Sequence, residues 1–264
     1  MALRFSPALQ NFIAEKGSWK DFFDNGSIEI YTGTQPATAD LAVTGTLLVT
    51  LTSSAGAKTN EVASQGTLTL DSGASGSVDT FTVNSIEIMG SSTAYNTSLT
   101  QTAADIALKC NRNPKNHLYH VTSSGAVITI TALPGMGTLP NGWVVAATYT
   151  TIAGTAANMG AGGAATAGVL AANGLRMDYN AAAGVLTKDT TQTWSGTAAA
   201  TGTAGWFRYK SAVVDAGALD SSAVFLRMDG NIATSGANLN MSSTSITSGA
   251  LQTLSTFSFT VPAA

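Results

Sequence analysis

Hydrophobic positions at the start of the chain recur at helical spacing. Leu9, Phe12 and Ile13 fall on one face of a helix opened by Ser6-Pro7, a capping serine followed by a proline at the first helical position, and Gly17 ends it. Ser18 caps a second short helix that runs through Phe23 and stops at Asn25-Gly26. From there the period changes to two. Ile28, Ile30 and Thr32 share one face with Glu29 and Tyr31 on the other, and residues 46–52 (TLLVTLT) predict a second strand after a proline-containing loop.

Residues 67–70 (TLTL), 78–84 (VDTFTVN) and 85–89 (SIEIM) predict a short meander. Leu99, Ala103, Ile106, Ala107 and Cys110 then predict a helix over 97–111, ended by Asn113-Pro114, and three strands follow at 119–122, 126–131 and 143–149. Residues 152–175, mostly glycine and alanine, read as a linker. Strands resume at 175–179, 193–197, 205–210, 224–229 and 253–261, separated by small-residue turns. The two strands before residue 63 are too few for a stable sheet, so they need the later ones. The expected fold is mainly β. Residues 1–63 and 164–264 form one discontinuous, jelly-roll-like β-sandwich with short N-terminal helices, and 64–163 form an inserted small α+β domain carrying one helix.

Composition narrows the function. Of 264 residues, 134 are Ala, Thr, Gly or Ser and only 27 are charged, 12 basic against 15 acidic. An ordinary domain carries about 25% charged residues. With no basic stripe to neutralise phosphates, nucleic-acid binding is not expected. Neither is a membrane span, because the long uncharged stretch at 152–175 is poor in large apolar side chains, and no secretory leader is legible near the N-terminus. A surface so poor in charge suits coverage by neighbouring protein copies.

Side chains that carry chemistry are sparse. The single cysteine, Cys110, provides neither a disulfide framework nor a thiolate cluster. His117 and His120 are three apart on an expected strand and point to opposite faces, which makes a poor metal site. They belong with Lys109, Arg112 and Lys115 to a basic cluster at a helix C-terminus, where the helix dipole favours positive charge. No G-x-S-x-G elbow exists, and residues 160–163 (GAGG) lack the preceding strand and following acid of a dinucleotide loop. No catalytic residue, metal ligand or cofactor-binding residue is assigned, and the chain is expected not to be an enzyme. The hexapeptides LRMDYN (175–180) and LRMDGN (226–231) match at five positions. They read as strand ends with Leu and Met in the core and Arg and Asp outside, or as paired Arg–Asp positions for a subunit contact. Trp143, Trp194 and Trp206 read as core anchors or as a carbohydrate-binding face.

Three stretches together, LRFSPALQNFIAEKGSWKDFFDNGSIEIYTGTQPATAD, GASGSVDTFTVNSIEIM with the following LPNGWVVAATYT, and GVLTKDTTQTWSGTAAATGTAGWFRY, resemble a group of tailed-bacteriophage and prophage virion structural proteins. The resemblance covers nearly the whole chain. It implies a head decoration or cement protein on the outer surface of the phage head, made in the bacterial host cytoplasm. Its partners would be the major capsid protein or other virion proteins, and it would be a homo-oligomer, with a trimer favoured. Alternatives are a tail or neck component and a carbohydrate-binding adhesion module. The most concentrated apolar surface, Phe5, Leu9, Phe12, Ile13, Trp19, Phe22 and Phe23, is the candidate docking site on a neighbour, or else closes one end of the chain's own sandwich. Docking predicts that replacing Phe12 and Phe22 by serine leaves a folded monomer that fails to assemble.

Overall fold

The computed structural model describes residues 3–15 and 17–261. The chain is mainly β, with several antiparallel sheets and, among the described residues, three helices. It divides into two compact units, one made of Met1–Glu61 with Ala171–Ala264 and the other of Val62–Leu170, where sequence punctuation suggested limits at 64 and 163.

In the first unit the strands order as Arg4–Phe5, Arg227–Ala233, Gly202–Lys210, Ser27–Thr32, Leu47–Ser53, Trp194–Thr197 and Leu251–Leu254, with two short strands off this path. Register decides what each face carries. Leu51, Ile28, Tyr209, Met228 and Phe5 lie side by side across five strands, as do Val49, Ile30 and Phe207 across three. This apolar face is covered by the helices Pro7–Glu15 and Trp19–Phe23, and by the two-stranded ribbon of Val185–Thr187 with Ser258–Thr260. Leu9, Phe22 and Phe23 are fully buried in that cluster, and each such burial contributes roughly 1.5–3 kcal/mol. The first unit is thus one large sheet capped by helices and a ribbon.

Both helix starts are explained by the residues that open them. Ser6, itself buried, accepts the Leu9 amide on its hydroxyl at 3.2 Å and donates to the Phe225 carbonyl at 2.8 Å, which ties the first helix to the sheet. Ser18 and Asp21 form a reciprocal capping box on the second. Ser18→Ala is expected to cost about 1 kcal/mol, read as a lowered denaturation midpoint for this unit with an unchanged slope.

The opposite face of the same sheet is charged, and it is buried too. Thr50, Glu29, Arg208, Asp229 and Arg4 form a row across five strands, next to Ser27, Lys210 and Arg227. Loops 33–46 and 211–226 cover it: Arg208 donates to the Leu41 carbonyl, Arg227 to those of Ala39 and Asp40, and Arg4 to that of Pro36. Arg and Asp of the second hexapeptide therefore do not lie outside, as strand alternation alone suggests. They are enclosed because the covering loops bring carbonyls and Asp215 to meet them. The first hexapeptide does follow the expected alternation, with Leu175 and Met177 buried and Arg176 exposed, but it forms only isolated bridges rather than a strand.

The second unit holds two four-stranded sheets and the helix Leu99–Arg112, capped by Ser98 and ended at Asn113. Phe81, Val83 and Val145 of one sheet share a core with Leu68, Leu70, Ile128 and Ile130 of the other, and the helix adds Ala103, Ile106, Ala107 and Cys110. Ala153–Ala157 (AGTAA) is a strand paired with Gln65–Ser72 inside the segment that reads as linker. Its small side chains leave no alternation to detect.

Candidate functional site

The expected docking residues sit mostly inside the first unit. Leu9, Phe22 and Phe23 are buried, while Phe5, Phe12, Ile13 and Trp19 are half-buried and packed against the same core. Phe5 and Trp19 pack at a tilt against each other and against Phe259 of the ribbon, with ring centroids 5.1 Å (Phe5–Trp19) and 4.7 Å (Trp19–Phe259) apart. Phe12 lies over Gly17, where any larger residue would meet its ring. These seven residues close the sandwich-like core of their own chain.

The covered charged face contains two enclosed ion pairs. Arg208 grips Asp229 through Nε and Nη2, both at 2.7 Å, with neither side chain exposed. Arg227 grips Asp215 in the same two-pronged way at 2.6 Å. Burial lifts the Asp229 carboxyl above the ordinary range despite Arg208. At Asp215 burial acts in the same direction, but the Arg227 and Gly217 hydrogen bonds outweigh it and the carboxyl lies below that range. Lys210 pairs with Glu29 at 2.7 Å, and Glu29 also accepts the Tyr31 hydroxyl, whose acidity is suppressed by burial and by that carboxylate.

Beside these pairs opens a cleft of about 180 Å³ lined by Glu29, Lys58, Asn60, Lys210 and Asp215. The Lys58 ammonium donates to the Asn60 side-chain oxygen at 3.0 Å and to the Ser211 carbonyl at 2.9 Å, both neutral acceptors. Burial pulls its pKa down to about 8; Lys210 adds to the shift, while Glu29 and Asp215 oppose it. Its amine is half free base near pH 8, where an ordinary lysine is deprotonated only above about pH 10. Site-resolved acetylation over a pH series is expected to give a midpoint near 8 for Lys58. A Lys58 profile that rises only with the bulk of the lysines would sink the assignment. Sequence offers no signal for this site, because Lys58 and Lys210 are joined only by the fold.

The remaining sequence candidates stay apart. His117 and His120 are both exposed, and no cluster of three metal-ligating side chains occurs among the described residues. Trp194 and Trp206 are fully buried, and Trp143 is half-buried against Tyr119, so no carbohydrate-binding face is built from the three. Asp229 is engaged by Arg208. No helix among the described residues is long and apolar enough to cross a membrane.

A groove of about 550 Å³ runs over the first unit between residues 238–240 and 255–258, flanked by Thr187, Lys188 and Thr190. Its floor is Leu239 and Phe257, both buried, and its rim is amide and hydroxyl: Asn238, Asn240, Ser255, Thr256 and Ser258. Lys188, its one ion, donates to the carbonyls of Asp189 and Gln192 and lies 5.9 Å from the Trp194 ring centre. The groove is therefore amphipathic and carries one cation, Lys188, held by carbonyls. Comparison with known protein families, curated proteins and solved structures finds no match.

Proposed function

We propose that the chain is a structural virion protein of a tailed phage that binds the outer capsid lattice and reinforces it as a decoration protein, acting as a homo-oligomer, with a trimer favoured. The observation that carries this reading is where the charge goes. Arg208, Lys210, Arg227, Asp229, Asp220 and Glu61 are buried, in a chain with only 27 charged residues. The outer surface is correspondingly sparse in charge, with Glu15, Asp21, Asp71, Arg112, Lys115 and Arg176 the exposed ions among the described residues. Protein interfaces are depleted in Lys, Glu and Asp at their centres, since each desolvated ion must be repaired by a partner. A surface this sparse in ions can be covered by many neighbours at reduced desolvation cost, and a repeated lattice multiplies weak contacts into firm attachment. The resemblance of the three sequence stretches to phage virion proteins points the same way.

The test is peptide mass spectrometry and electron cryomicroscopy of purified particles of the phage that encodes the chain. The expected result is a fixed stoichiometry to the major capsid protein, density on the outside of the head, and heads that break at lower temperature when the protein is omitted. Density confined to the tail or neck, in a ring of six or more copies, would move the protein there. Absence from the particle would end the virion reading.

A further inference from the structure

The ionic groups around the small cleft of the first unit do not balance. Lys210 is paired with Glu29 at 2.7 Å, and Asp215 is held by Arg227 at 2.6 Å. Glu29 is shared further, since it also accepts the Tyr31 hydroxyl. Lys58 forms no ion pair among the described residues; its ammonium meets only the Asn60 side-chain oxygen and the Ser211 carbonyl, both neutral. Lys58, Lys210 and Arg227 thus stand against Glu29 and Asp215, and the charge left over is the one on Lys58.

Unused hydrogen-bond donors collect in the same place. An ammonium carries three N–H bonds. Lys58 uses two, and Lys210 uses two, on Glu29 and on the Asp215 carbonyl at 3.0 Å, so one remains on each. The Asn60 amide nitrogen and the Thr50 hydroxyl, which border the same space, have no partner among the described residues. Lys58 is half-buried, so a charge beside it is screened less than one beside an exposed lysine. The cleft measures about 180 Å³, below the roughly 300–1,000 Å³ of ordinary ligand pockets. Its occupant has only a few heavy atoms.

We infer that this cleft binds a small monovalent carboxylate, held by the spare donors of Lys58, Lys210 and Asn60. A single negative charge cancels the excess on Lys58, whereas a phosphate dianion overshoots it and is repelled by Glu29 and Asp215. Two carboxylate oxygens suit two ammonium groups. The inference is independent of the decoration reading, because it concerns one chain by itself. It also ties binding to protonation. The ligand pairs with the charged form of Lys58, whose pKa burial brings down to about 8. Affinity is therefore level below pH 8 and falls about tenfold for each pH unit above it, and bound ligand raises the Lys58 midpoint in turn.

The experiment follows the side-chain Cε resonance of Lys58 by NMR through a pH titration of the full chain, first in sodium chloride and then in sodium acetate at the same ionic strength. With acetate at about 100 mM, tenfold over a dissociation constant on the order of 10 mM, the Lys58 midpoint is expected to rise by about one unit. That of the exposed Lys115 is expected to stay in place. Asn60→Asp keeps the side-chain shape and supplies a carboxylate from the chain itself. This variant is expected to raise the Lys58 midpoint without acetate and to lose the response to it. A Lys58 midpoint equal in acetate and chloride, an affinity that stays level or rises above pH 8, or an Asn60→Asp variant that answers acetate as the native chain does would each overturn the site. A larger shift with phosphate than with acetate would overturn the monovalent carboxylate as its ligand.

Discussion

Asp229→Ala is expected to destabilise the first unit by about 3–5 kcal/mol, the cost of leaving a buried ion without its partner. Arg208 is wholly enclosed, and two of its bonds, both 2.7 Å, end on Asp229. What remains after the substitution is the Leu41 carbonyl at 3.0 Å and the face of the Trp206 ring, 5.6 Å from its centre. Neither neutralises a guanidinium. The double variant Arg208→Met/Asp229→Leu removes both charges and keeps side-chain volume, so it is expected to recover most of the loss. Denaturant unfolding with hydrogen exchange resolves the two units, and protection in Val62–Leu170 is expected to stay at its wild-type level. A loss below about 1 kcal/mol would mean that water reaches the pair and that it behaves as a surface bridge.

That charged layer marks the limit of what sequence pattern could convey. The alternation of Ile28 and Ile30 with Glu29 and Tyr31 places the strand and its apolar face, but the same alternation assigns the other face to solvent. It has no way to register that loops 33–46 and 211–226 fold over it. Local signals fared better. Ser6 and Ser18 each precede a helix, and in each case the hydroxyl accepts an amide of the first turn; the third helix, expected from 97, starts at Leu99 behind the Ser98 cap. Strand bounds were weakest where side chains are small: Ala153–Ala157 leaves no period to read, and the single run expected over 253–261 divides into Leu251–Leu254 and Ser258–Thr260. The Lys58 cleft and the groove over Leu239 and Phe257 were invisible for another reason. Each is assembled from segments far apart in the chain, and neither contains a motif.

Phe22→Ser separates the two roles open to the N-terminal aromatic residues, and it is expected to cost about 3–5 kcal/mol. Phe22 is fully buried, with ring centroids 4.9 Å from Phe23 and 5.4 Å from Tyr209, and Tyr209 in turn donates its hydroxyl to the Phe23 carbonyl. Removing the ring opens a cavity between the short helix and the centre of the large sheet, and the serine hydroxyl has no acceptor waiting there. Phe12→Ser is the milder counterpart, because that ring is half-buried and already faces water on one side; about 1–2 kcal/mol is expected from the area it covers. If Phe22 instead served a neighbour, Phe22→Ser would leave the denaturation midpoint of the unit where it is and lower only its molar mass in solution. The aromatic contacts place the effect in folding, so loss of assembly in this variant should track the unfolded fraction, and a temperature at which the variant is fully folded should return wild-type self-association.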